Sequence, residues 1–146
     1  MWRPHQRLRL SASRGIGLID ALIALAILSF GLLALTRMQT RLVAQATEAQ
    51  ERITAVQRGD ELLSTMLADD PLNANCYTLP AAGVCPAAGA NARARTDAWA
   101  LATAAALPGT VNAGTVLVAD RMTLTITWTG KETQETRTHV AITDVR

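Results

Sequence analysis

Asp20 is the one charged side chain in the twenty residues from Ile16 to Leu35, IGLIDALIALAILSFGLLAL. Placing a carboxylate in hydrocarbon costs roughly 2.5–3.5 kcal/mol, so an acid held there is expected to meet a cation. Cutting the chain after Gly15 would give Ile16 a new amine. Asp20 could pair with that amine on its own chain or on a neighbouring copy. The second pair with chemical potential is Cys76 and Cys85. A disulfide between them would close a short loop and contribute about 2.7 kcal/mol by chain entropy. Two free buried thiols are the alternative. Metal ligation is poor, because no histidine or third cysteine lies nearby.

The remaining inventory is thin. His5 and His139 are the only histidines. No Ser/His/Asp or Cys/His set assembles. Gly83 and Gly89 lack the Lys-Ser/Thr that follows a phosphate loop. Asp69 and Asp70, adjacent acids at a helix end, read as solvated rather than as calcium ligands. No catalytic residue, cofactor or metal is expected, and the chain reads as a non-enzyme.

The charge is unevenly spread. The 146 residues carry 14 Lys+Arg and 12 Asp+Glu. Residues 1–15 hold Arg3, Arg7, Arg9 and Arg14 and no acid, so the rest is net negative. The basic surplus is therefore a topology signal rather than a nucleic-acid surface, and no nucleic-acid partner is expected. The apolar run that follows is long enough to span a bilayer as a helix. The positive-inside rule puts its N-terminus in the cytoplasm and the remainder outside. A removed secretory signal fits less well, because the run is long and no A-x-A site closes it.

Helical patterning continues past the apolar run. From Thr36 to Asp69 there is no proline, and Pro71 closes the segment. Met38, Leu42, Ala46, Ala49, Ile53, Val56, Leu63 and Met66/Leu67 recur at helical spacing and define an apolar face. Arg37, Arg41, Glu48, Glu51, Arg52, Arg58, Asp60 and Glu61 mostly fill the other. A coiled-coil stalk is one use of such a helix, but the irregular, Ala-rich face is better suited to packing on a globular head. Gly59 weakens the helix by about 1 kcal/mol and would allow close packing.

Four segments result: a basic leader over 1–15, a transmembrane half-helix over 16–35, an amphipathic half-helix over 36–70, and a head over 71–146. In the head, residues 71–93 read as loop. Ala94–Leu107 reads as helix, with Trp99, Ala102/Thr103 and Ala106/Leu107 on its apolar face and Pro108-Gly109 stopping it. Thr115–Val118, Met122–Thr129 and Thr133–Val145 read as strands. The second alternates strictly, with Met122, Leu124, Ile126 and Trp128 on one side. The third is expected to turn Val140 and Ile142 inward. The whole is an α+β arrangement, a long N-terminal helix packed against a small antiparallel sheet.

Arg14-Gly15, then Ile16-Gly17-Leu18-Ile19-Asp20 and a long apolar helix, resembles the class III signal of type IV pilins and pseudopilins. The common form there is Gly followed by Phe-Thr-Leu-Ile-Glu. Ile16, Gly17 and Asp20 depart from it, the last keeping the charge on a shorter side chain. The continuation to Leu35 with Gln39 is similar to minor pilins of the PilV type, as is the pattern of Asp97, Trp99 and Leu107-Pro108-Gly109. The likeness is dense over residues 14–45 and diffuse beyond. Residues 16–70 lack the kinking proline of major pilins.

The resemblance implies a pilin-like fold, with cleavage after Gly15 and N-methylation of Ile16 by prepilin peptidase. It implies an assembly salt bridge from Asp20. The expected partners are that peptidase, other minor and major pilins, and inner-membrane lipid before assembly. The expected location is the inner membrane, single-pass with a periplasmic head, and then the type IV pilus at the cell surface. A minor pseudopilin of a type II secretion system is the nearest alternative. A membrane-tethered binding module or adhesin is the alternative of another class.

Overall fold

The computed structural model describes residues 16–145. The leader over 1–15, including Gly15, lies outside the described residues. Helix α1 spans Ile16–Leu67, 52 residues. It has no internal proline to break it, and it ends just before Asp69-Asp70-Pro71. Asp70 accepts a hydrogen bond from the Leu72 N–H at 2.9 Å and so caps a 3₁₀ helix, Pro71–Tyr77. A second 3₁₀ turn covers Ala87–Gly89, and α2 covers Ala90–Ala106. The expected loop over 71–93 is thus shorter and partly helical. It lacks a periodic apolar face, which hid its turns.

Three antiparallel strands follow in the order β1-β2-β3: Asn112–Val118, Arg121–Thr129 and Thr136–Asp144. Strand β2 is central. Its residues Met122, Leu124, Ile126 and Trp128 are buried, as the alternation requires. Two compact units are distinguished, one ending at Leu42 and the other beginning at Val43.

In the second unit, Ala55, Leu62, Leu63 and Met66 of α1 share one core with Tyr77, Trp99, Leu107 and the inner face of β2. Gly59 makes this close packing possible. A Cβ there would stand 3.0 Å from Leu124 Cδ2 and 3.2 Å from His139 Nε2. On α2 the buried residues are Ala92, Thr96, Trp99 and Thr103. Trp99 is the core anchor expected, and its indole N–H donates to the Arg58 carbonyl at 2.8 Å. Ala106 is exposed, because the buried stripe ends at Thr103 and Leu107.

Two faces differ from expectation. Val140 and Ile142 point outward, 51% and 61% exposed. The register pairs buried Trp128, Ile126 and Leu124 with Arg137, His139 and Ala141, so those residues take the inner face. The second difference is in α1. Ile53 and Val56 are 50% and 41% exposed, whereas Glu51, expected on the polar side, is buried at 8%. Trp128 Nε1 donates to a Glu51 oxygen at 3.4 Å, and the Lys131 N–H to the other at 3.3 Å. These partners compensate the burial of the carboxylate.

Candidate functional site

Residues 17–42 of α1 are exposed. Leu18, Ile19, Leu22, Ile23, Ile27 and Phe30 are each more than half accessible. A helix apolar all round satisfies its backbone internally and requires an apolar surrounding for its side chains. This helix is long and apolar enough to cross a membrane. Asp20 is its fifth residue, one turn in from the helix start and past the first turn. Its side chain is exposed and makes no hydrogen bond or ion pair among the described residues. Gly15, the expected cleavage position, lies outside the described residues. The backbone of Ile16 opens α1.

The head-side part of α1 carries two apolar faces. One comprises Ala55, Gly59, Leu62 and Met66, with buried Glu51 in the same stripe, and packs into the core. The other comprises Ala46, Ala49, Ile53 and Val56, all exposed. At about 100° per residue the two stripes are centred roughly 140° apart on the helix, with Val56 closest to the core stripe. The sequence periodicity belongs chiefly to the exposed one.

Cys76 and Cys85 form a disulfide with Cα atoms 4.8 Å apart. Cys76 is fully buried, and a Cβ on Gly89 would stand 2.5 Å from its sulfur. The bridge ties the first 3₁₀ helix to the loop just ahead of the second 3₁₀ turn. Asp69, expected to be solvated, is a knot instead. It accepts from the Tyr77 hydroxyl at 2.6 Å, from Asn73 Nδ2 at 3.1 Å and from Arg95 at 2.8 Å. The Tyr77 hydrogen bond first, then the Asp70 N–H and Asn73, hold its carboxyl down at about 2. Burial, reinforced by the bond to Asp69, pushes the Tyr77 hydroxyl up. This knot was missed because its members come from the bend after α1, the 3₁₀ helix and α2.

His139 turns its Nε2 into the contact with Gly59, where that atom is buried and has no hydrogen-bond partner among the described residues. Arg137 pairs with Glu48 at 3.4 Å and with Glu135 at 3.0 Å. Among the described residues, no three His, Cys, Asp or Glu side chains gather in a metal-binding group. Compared with protein-family models, curated proteins and solved structures, the chain matches none.

Proposed function

We propose that this chain is a minor pilin-like subunit, cleaved after Gly15 and packed through α1 into a helical assembly. The observation that carries this reading is the exposed stripe of Ala46, Ala49, Ile53 and Val56. A plain anchor needs a membrane-length apolar helix, but it does not need a second apolar face outside the membrane segment. A subunit whose helix enters a filament needs both. Asp20 fits the same reading. In an apolar assembly it would pair with the N-terminal amine of a neighbouring Ile16, favouring one register over slipped ones. The disulfide accords with a head in an oxidising compartment, the periplasm in this proposal. In this reading the chain catalyses nothing; prepilin peptidase and other pilins act on it or with it.

Intact mass and N-terminal sequencing of the chain from membranes test the reading. The expected start is Ile16 carrying one N-methyl group. An intact Met1, or a start near Thr36 or beyond, refutes it. Asp20→Ala is expected to be processed normally while its share in sheared filaments falls. Normal incorporation would remove the salt-bridge argument.

A further inference from the structure

We propose that the cleft beside Arg37 and Arg41 on α1 holds an anionic phospholipid by its phosphate. The inference rests on α1 crossing a bilayer, as the proposed function also requires, and not on cleavage or filament assembly. The apolar run ends at Leu35. Its twenty residues rise about 30 Å as a helix, the thickness of the hydrocarbon layer. Arg37 follows two residues later, and Arg41 stands one turn beyond it on the same face. Both therefore fall at the level of the lipid headgroups at the C-terminal end of the span.

The two cations are available to an anion. Both are exposed, and neither has an ion pair or a hydrogen bond among the described residues. They are the only charged side chains between Asp20 and Glu48, so no carboxylate lies within a helical turn of either. A guanidinium binds phosphate oxygens through paired, charge-assisted hydrogen bonds. Each such cation near an anionic bilayer surface strengthens association by about fivefold.

The lining of the cleft selects the occupant. Phe30, Leu33 and Ala34 form an apolar half, and Arg37 and Arg41 a cationic half, with Met38 alongside. Phe30 precedes Arg37 by seven residues, about 10 Å along the axis. Over that distance the lining changes from apolar to cationic, as a phospholipid changes from acyl chain to phosphate. A free phosphate ion, or an acidic side chain of a neighbouring protein, would satisfy the cationic half alone. A lipid occupies both halves at once, and its phosphate fixes the depth at which α1 sits.

The full-length chain with p-benzoylphenylalanine in place of Phe30 is reconstituted in vesicles of equal parts phosphatidylglycerol and phosphatidylcholine. Irradiation captures whatever lies in the cleft, and mass spectrometry identifies the adduct. Phosphatidylglycerol adducts are expected to exceed phosphatidylcholine adducts by about fivefold or more. Arg37→Gln combined with Arg41→Gln is expected to bring that ratio down to about one. Arg52→Gln, which removes another exposed and unpaired arginine of α1, is expected to leave the ratio unchanged. Exchanging chloride for inorganic phosphate at equal ionic strength is expected to leave it unchanged as well, which separates lipid from free phosphate. Resistance to carbonate extraction reads the span independently. Extraction of the unsubstituted chain would overturn the span and this inference together. With the span intact, adducts to protein alone, a ratio indifferent to the two arginines, or a ratio abolished by inorganic phosphate would overturn this inference only.

Discussion

Replacing Ile53 and Val56 by serine separates the two apolar faces of α1. Ile53 is 50% exposed, and Val56, at the margin of the core beside Trp128, is 41% exposed. Serine has nearly the helix propensity of the residues it replaces. Stability of the isolated subunit should therefore change by no more than about 0.5 kcal/mol. In an assembly the same side chains would become fully buried. Complete burial of Val or Ile contributes roughly 1.5–3 kcal/mol, and about half of that surface is still open in the subunit. Each residue then stands to contribute about 1 kcal/mol to contacts with a neighbour, or about 2 kcal/mol together. That is a factor of about 30 in each contact.

The assay has two arms. Thermal unfolding of the purified full-length variant reads subunit stability, and immunoblotting of sheared surface filaments against membranes reads incorporation. The expected result is an unchanged midpoint with incorporation strongly reduced. Normal incorporation would refute the assignment of this stripe to a partner. A midpoint that falls in step with incorporation would refute it differently, by showing that the residues stabilise the subunit itself.

Three further outcomes follow from the head. Gly59→Val drives its Cβ into Leu124 and His139, 3.0 and 3.2 Å away. Overpacking of this kind should cost about 1–3 kcal/mol in a denaturant titration. Asp69 is held at about 2 against an ordinary 3.8, so its contribution is whole above 3.8 and is lost as pH falls through 2. Tyr77→Phe removes the largest cause of that depression and should bring the acid loss of stability to higher pH in melts recorded across this window. Ala119 has φ +48°, in the turn between β1 and β2. Ala119→Gly relieves a left-handed conformation that glycine adopts freely and should raise the unfolding midpoint by a few degrees.

The elements were more legible than their orientation. Helix α1 follows from an unbroken chain without proline, and β2 from a strict alternation that burial reproduces at Met122, Leu124, Ile126 and Trp128. The cysteine pairing was legible because the chain holds only these two cysteines and the expected extracytoplasmic head is an oxidising setting. Glu51 was not legible. Its burial depends on the Trp128 indole and the Lys131 N–H, which reach it from 77 and 80 residues away. Asp69 escaped for a similar reason, since Arg95 lies 26 residues on and arrives only when α2 packs.

Patterning put Leu63 and Met66 of α1 in the core correctly, but it misplaced the middle of α1 and the outer face of β3, and these two share a physical feature. In α1 the more regular apolar stripe is Ala46, Ala49, Ile53 and Val56, yet the core takes Glu51, Ala55, Gly59 and Leu62. In β3 the more apolar set holds Val140 and Ile142, yet the inner face takes Arg137, His139 and Ala141. Patterning assumes that the greasier face seeks the chain's own core. Beside the large apolar Leu62, Leu63 and Met66, the two elements meet the core through small or polar residues fitted to specific partners: Gly59 beneath Leu124, Glu51 beneath Trp128, and Arg137 against Glu48. The greasier faces are left outside. In a monomer that arrangement leaves apolar surface in water without return. In a subunit whose helix is packed among neighbours, the face along α1 has a core to join.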